Sequence, residues 1–348
     1  MIGVDISDRS IKIAEIADRR NPVLRTVCWS PLAVDLIRRG VVQDVSAVIV
    51  ALQDALEKCS PVVVSGDAVV ASIPETQSFV RILEVPMMSQ KETDEAVKWA
   101  VRRHIPFDLD RVYLDWQPVE VVGEKRKHQN IIVGAVQKSV VDPLLQVLDG
   151  AGLRVIALEL EVQAIIRSVL PKDSVGVHGV LIVDLGATST NIIFFDQGAM
   201  RFTASVQMGG DDLTRELAHA LHLKPSIAAE KKAAIGVQER GGEEDIAYAL
   251  RNVTVKLLRQ VEQVVREMTA QLRGGKSVRA ILLSGGSANL PGISDVFAEV
   301  FPGIPVQMAN PWVNVVSDPR DGKMPLSSQD ASHFVTALGL ALREVEYM

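Results

Sequence analysis

Val4-Asp5-Ile6-Ser7-Asp8-Arg9-Ser10-Ile11-Lys12-Ile13, near the start of the chain, aligns without a gap on Val183-Asp184-Leu185-Gly186-Ala187-Thr188-Ser189-Thr190-Asn191-Ile192 in its second half. Each stretch reads as an apolar strand ending in an acid, a tight polar turn, and a second strand, which is a hairpin pattern. The surroundings repeat as well. Residues 2–6 and 10–16 are followed by an extended stretch at 24–34, helical apolar spacing at 46–58 and a strand at 68–73. Residues 180–185 and 190–195 are followed by a strand at 199–208, a helix at 211–221 and, further on, a strand at 278–283. A unit that recurs in this way predicts a duplicated α/β fold with a ligand cleft between two halves.

A different texture separates the two copies. Residues 79–86 alternate as a strand, and 89–104 read as a helix that opens on the capping-box pair Ser89 and Glu92 and stops at Ile105-Pro106. Strands at 112–122 and 131–136, divided by a charged turn, and a helix at 142–150 complete this segment. Residues 155–160 return as a strand that runs into a helix through 170, and 171–178 mark the boundary between halves. In the second half, residues 225–244 are mixed, 245–272 read as one long helix, 293–300 as a helix, 306–308 as a strand and 330–345 as the last helix. The aromatic residues Phe79, Trp99, Phe107, Tyr113 and Trp116 gather in the inserted segment. They suffice for a small core, and an apolar cleft beside it would suit an extended peptide.

Composition narrows the function classes. With 348 residues, 47% hydrophobic and 23% charged, the chain is expected to be a folded, soluble protein of about two domains. Its 37 Lys and Arg against 43 Asp and Glu are spread without a basic concentration, which argues against a nucleic-acid partner. Cys28 and Cys59 are too few for a disulfide framework or zinc site and are expected to be reduced, buried small hydrophobes. No signal-peptide pattern and no membrane-length apolar run is seen, so a cytoplasmic location is expected, with membrane association only through a partner.

An acid at the end of a buried strand, followed by a tight turn, sets backbone N–H groups around a concavity suited to phosphate oxygens. The acid then orients the water shell of a magnesium ion. Asp5 and Asp184 are the candidates, with Lys12 placed to meet a phosphate. Either turn alone also fits an ordinary hairpin with a solvated acid. The segment Leu282-Leu283-Ser284-Gly285-Gly286-Ser287-Ala288-Asn289-Leu290-Pro291-Gly292 ends a strand in two glycines, fitting close approach to a base and ribose or a plain helix-entry loop. Gly209-Gly210 begins a helix, where free N–H groups suit an anion. Gly274-Gly275-Lys276-Ser277 mimics the end of a P-loop but follows a helix and reads as a turn. His219 and His222 share a helix face without further metal ligands nearby.

The order of these motifs resembles the actin, sugar-kinase and heat-shock ATPase superfamily over the whole chain. Arg81-Ile82-Leu83-Glu84-Val85-Pro86, Trp99-Ala100-Val101-Arg102-Arg103-His104-Ile105-Pro106-Phe107 and Leu114-Asp115-Trp116 resemble the inserted 1C subdomain of the FtsA-like PilM family of type IV pilus assembly. The resemblance implies a duplicated actin-like (ribonuclease H-like) fold. Subdomain 1A would span 1–75 with 153–175, inserted subdomain 1C 76–152, subdomain 2A 176–222 with 276–348, and subdomain 2B 223–275. It implies ATP with magnesium, held through Asp5 and Asp184. Asp5, Ser7, Asp8, Arg9, Ser10 and Lys12 would form the first phosphate loop, and Asp184, Gly186, Ala187, Thr188, Ser189 and Asn191 the second. Gly209, Gly210, Gly285, Gly286, Ser287 and Leu290 would complete the nucleotide site.

Glu161 stands where relatives place a water-orienting catalytic glutamate. For the ribose contact, a Glu followed three residues later by Lys, the chain has Glu230 but Ala233 at that spacing, with Lys232 one residue early. Ser7 replaces a glycine, and Asp8 and Arg9 replace small residues, so the Ser7 Cβ and the Asp8 charge are expected to work against phosphate. The implied partner is the cytoplasmic tail of a PilN-type inner-membrane protein lying between 1A and 1C, and self-association stays open. A small-molecule kinase and a nucleotide-free scaffold of a type II secretion system are the competing readings.

Overall fold

The computed structural model describes all residues except Arg19, 103–107, 120–127, 239–241, 273–276, 318–323, Pro325 and 345–348. The expected helix end at Ile105-Pro106-Phe107 and the Gly274-Gly275-Lys276 turn lie outside the described residues. The first half opens with β1 (Ile2–Ile6), β2 (Ser10–Ile16) and β3 (Leu24–Pro31). A small hairpin of β4 (Ile37–Arg38) and β5 (Val41–Val42) follows, then α1 (Val45–Glu57) and β6 (Ala68–Ile73). The insert comprises β7 (Ser78–Pro86), α2 (Gln90–Arg102), β8 (Val112–Val119) and β9 (His128–Gln137). The chain then returns through α3 (Lys138–Gly150), β10 (Arg154–Leu160) and α4 (Glu161–Val169).

The second half runs through β11 (Val180–Leu185), β12 (Thr190–Asp196), β13 (Ala199–Val206) and α5 (Gly210–Ala220). Helices α6 (Pro225–Ile235) and α7 (Glu244–Gln271) precede β14 (Ala280–Ser284), α8 (Ile293–Val300) and β15 (Val306–Met308). Short α9 (Ser328–Ala331) and α10 (Val335–Ala341) close it. The mixed texture at 225–244 conceals α6, whose Ala, Lys and Glu residues form no apolar stripe but which packs Ala228 and Ile235 into the core shared with α5 and α7.

The duplication is visible in the hydrogen bonding. The sheets have the orders β10-β6-β1-β2-β3 and β13-β12-β11-β14-β15, which are the same topology written from opposite ends. Asp5 pairs with Lys12 across one hairpin and Asp184 with Asn191 across the other. The turns close alike: Ser7 N–H donates to the Ser10 carbonyl at 3.0 Å, and Gly186 N–H to the Ser189 carbonyl at 2.9 Å.

Strands buried on both faces explain the near-continuous apolar runs. In the first sheet, Ile2, Val4, Ile11 and Ile13 pack on α1 and α3, while Ala14 and Ile16 face α10. Helix α10 lies against β1 and α4 at backbone distance. A Cβ on Gly3 would strike the Ala337 carbonyl, and one on Gly339 the Ala164 carbonyl, so both positions exclude larger residues. Helix α3 falls inside the expected 1C range of 76–152, yet its Leu144, Val147 and Leu148 join α1 in the first half's core. Likewise α6 and α7, expected as 2B, share one core with the second sheet.

The insert's sheet, ordered β7-β9-β8, buries one face under α2 through Val85, Val97, Val101, Ile131 and Val133. Ile132 on its other face packs with Val162 and Ile165 of α4 and Phe195 and Met200 of the second half. The expectation of two reduced thiols is corrected: Cys28 and Cys59 are bonded as a disulfide, with Cα atoms 4.6 Å apart. The Val27–Ser60 bridge lays the segment after α1 on β3 and brings the two cysteines into bonding range. Among the described residues, no helix is long and apolar enough to cross a membrane.

Candidate functional site

The two hairpin turns face each other across a cavity of about 520 Å³. From the first half come Asp5, Ser7, Asp8, Arg9, Ser10, Lys12 and Glu161; from the second come Asp184, Gly186, Ala187, Thr188, Ser189 and Asn191. Gly210, Lys232, Gly286, Ser287 and Leu290 line the same space. Residues far apart in sequence are thus brought together by the duplicated fold. Of the candidates, Gly209, Gly285 and Glu230 stand outside the lining.

Carboxylates concentrate at the base. Asp5 accepts from Ser72 Oγ at 2.9 Å and from Lys12 Nζ at 3.2 Å. Glu161, the first residue of α4, receives the Glu75 N–H at 3.4 Å and Asn191 Nδ2 at 3.2 Å on one oxygen. Burial, with the charges of Asp5 and Asp184 beside it, raises the Glu161 carboxyl to about 8. Burial also pushes Asp184 up, an effect Lys12 opposes. Deprotonation of Glu161 would supply a base in the cleft. Behind it, buried Glu75 is raised to about 7 by burial, and its other-half partner Thr203 donates to it at 2.9 Å.

The unusual first loop is explained by its partners. Asp8 is buried at 9% exposure and accepts the N–H groups of Arg39 at 2.9 Å and Gly40 at 2.7 Å. Its charge is therefore engaged in anchoring the loop to the β4–β5 turn. Ser7 Oγ donates to the Ser10 carbonyl at 3.0 Å, and Ser7 has no left-handed backbone, so glycine is not required there.

The glycine pair at α5 also differs from expectation. Gly209 N–H donates to Asp212, Gly210 N–H to the Gly186 carbonyl and Asp211 N–H to the Ala187 carbonyl, leaving none of these groups for an anion. What Gly210 supplies is room, since a Cβ there would meet Ser287 Oγ. Gly285 has φ +85° and turns the chain out of β14 against Leu185. Lys232, one residue early in sequence, still reaches the cleft and donates to the Gly210 carbonyl at 2.7 Å, with burial lowering its pKa. Glu230 is exposed on α6.

Trp29, Arg39 and His333 line the cavity from outside every segment that the sequence singles out as a site. Trp29 had a legible signal, since it pairs with Lys12 across β2 and β3. His333 packs over Gly286 near Asn289, and burial lowers its pKa; no local motif marks it. Among the described residues, no group of three His, Cys, Asp or Glu side chains could hold a metal by itself. A magnesium ion would thus have to arrive with its own phosphate and water ligands. That fits Asp5 and Asp184 and the partnerless buried Asn191 Oδ1 at the cleft.

A second cavity of about 810 Å³ lies where the insert, α4 and the second half meet. Gln117, Pro118 and Ile132 of the insert face Gln163, Ile166 and Arg167 of α4, with Phe195 and Met200 opposite. Arg167 is held by Glu159 and by the Gly339 carbonyl at 2.8 Å.

A profile of the family described as type IV pilus assembly protein PilM matches residues 3–345. The cell division protein FtsA of Enterococcus hirae is 22% identical over 348 residues, covering 89% of this chain and 78% of the relative. Among solved structures, a PilM-PilN type IV pilus biogenesis complex matches with a TM-score of 0.86 and 26% identity, covering 99% of this chain and 98% of that one. MreB5 of Spiroplasma citri bound to AMPPNP matches with a TM-score of 0.56 and 13% identity, covering 97% and 93%, a likeness of fold.

Proposed function

We propose that this chain, which belongs to the type IV pilus assembly protein PilM family, is an ATP-binding actin-like scaffold that docks the cytoplasmic tail of a PilN-type membrane protein. The observation that carries the nucleotide reading is the pair of equivalent hairpin turns facing one cavity, with Asp5 and Asp184 at matched positions. Backbone N–H groups of both loops would take phosphate oxygens, and Lys12 would add a point charge. Gly286, Ser287, Leu290 and Lys232 would receive the nucleoside. Asp5 and Asp184 would hold the water ligands of a magnesium ion, which would supply charge neutralisation to the polyphosphate.

The tail reading rests on the second cavity, whose walls come from the insert, α4 and the other half. Its mix of Ile132, Ile166, Phe195 and Met200 with Gln117 and Gln163 suits an extended peptide that needs both apolar pockets and hydrogen bonds. A bound tail would bring the chain to the membrane.

Thermal unfolding with and without magnesium ATP tests the first part. Ligand at about 100 times Kd adds roughly 2.7 kcal/mol and should raise the unfolding temperature measurably. An unchanged transition at millimolar magnesium ATP would reject it. Fluorescence titration of a labelled PilN-type tail peptide tests the second part, with saturable binding expected and none counting against it.

A further inference from the structure

Among the described residues that line the cleft, one ion pair joins the two halves. Arg9, in the turn between β1 and β2, donates through Nε to Asp211 Oδ2 at 2.5 Å, and Asp211 belongs to the first turn of α5 in the other half. Both residues line the cavity, and both side chains are about one-third exposed, at 38% and 36%.

Each side is fixed at its backbone. The Arg9 carbonyl accepts the Leu32 N–H at 2.9 Å, and the Asp211 N–H donates to the Ala187 carbonyl at 2.8 Å. Asp211 is not needed to cap its helix, because Asp212 takes the Gly209 N–H. Its carboxylate therefore faces the cleft, and the pair spans from the first loop to the start of α5, across the space where a polyphosphate would lie.

We infer that this ion pair is a latch in competition with the nucleotide: Arg9 leaves Asp211 for a phosphate of the bound polyphosphate, and Asp211 holds it in reserve when the cleft is empty. An exposed ion pair is weak, whereas a guanidinium fork against phosphate forms two charge-assisted hydrogen bonds. Only Nε is used in the resting pair. The exchange therefore favours the loaded state and releases the strap between the halves at the moment of binding. This inference rests on the nucleotide reading above.

The sign of one substitution separates a latch from a clamp. Magnesium ATP affinity is measured by calorimetry for the wild type, Arg9→Ala, Asp211→Asn and the double variant, with circular dichroism confirming the fold of each. The latch predicts about tenfold weaker binding for Arg9→Ala, about threefold tighter binding for Asp211→Asn, and a double variant equal to Arg9→Ala. Weaker binding by Asp211→Asn would mean that the pair closes over the ligand, and would overturn the inference while leaving the nucleotide reading intact. So would an Arg9→Ala variant that binds like the wild type. A gain from Asp211→Asn that persists without Arg9 would also overturn it, because Asp211 would then act directly on the phosphates. Failure of the wild type to bind rejects both the nucleotide reading and the latch.

Discussion

Asp8→Ala distinguishes an anchor from a misplaced charge. The side chain lines the cleft, so as a bare negative charge it would repel phosphate, and its removal would tighten nucleotide binding. Its oxygens, however, are both occupied by the Arg39 and Gly40 N–H groups at 2.9 and 2.7 Å. A hydrogen bond to a charged group contributes about 1.5–3 kcal/mol. Two such bonds at an exposed turn place the expected loss of stability toward the lower end of their sum, at roughly 3 kcal/mol. Urea denaturation would read this as a lower midpoint at unchanged slope. With its tether to the β4–β5 turn cut, the first loop would lose its preorganised geometry, and magnesium ATP should bind about three- to tenfold more weakly. Stability within about 0.5 kcal/mol of the wild type, or tighter nucleotide binding, would refute the reasoning.

Other perturbations probe separate parts of the account. Gly3→Ala drives a Cβ into the Ala337 carbonyl and should cost at least the roughly 1–3 kcal/mol of an overpacked core, read by chemical denaturation. Glu75, raised to about 7 from an ordinary 4.5, weakens the fold increasingly as pH rises through that window, because the unfolded chain gives up the proton first. Glu75→Gln should therefore match the wild type near pH 4.5 and exceed it by on the order of 3 kcal/mol at pH 8, measured by unfolding at both pH values. Ile166→Ala, in the wall of the second cavity, should weaken a PilN-type tail five- to tenfold in a fluorescence titration and leave nucleotide affinity unchanged.

The parts of the fold that could be read in advance are those set by local pattern. The hairpins of β1–β2 and β11–β12, with β6, α8 and β15, follow the expected ranges closely because alternation and turn chemistry act over a few residues. The β4–β5 hairpin did not announce itself. Its strands are two residues each and depend on Asp8 from another loop and on Gly40 at φ +76°. Helix α3 starts at Lys138, ahead of the expected 142, since tertiary packing of Val140 and Val141 outweighs the break that Pro143 suggests. The last helix is interrupted by a 3-10 turn at Ser332–Phe334, which turns His333 toward the cleft.

The same division holds at the site. Both loops could be recognised because each keeps its acid, turn and second strand contiguous. Arg39 and His333 enter the cleft from segments carrying no local signature, and the Arg9–Asp211 contact exists only once the halves are assembled. The contacts of Asp8 and Gly210 are hidden for a related reason: sequence reveals a carboxylate and a glycine, while their partners come from tertiary structure.

The central claim is that two equivalent acid-ended hairpins form one magnesium-nucleotide site. Its most direct test is calorimetric titration of magnesium ATP into the wild type and Asp184→Ala, with matched circular dichroism spectra. The account predicts one saturable site in the wild type and at least tenfold loss in the variant, because Asp184 would hold water on the metal rather than support the core. Equal affinity in the two proteins, or no binding by the wild type, would contradict it.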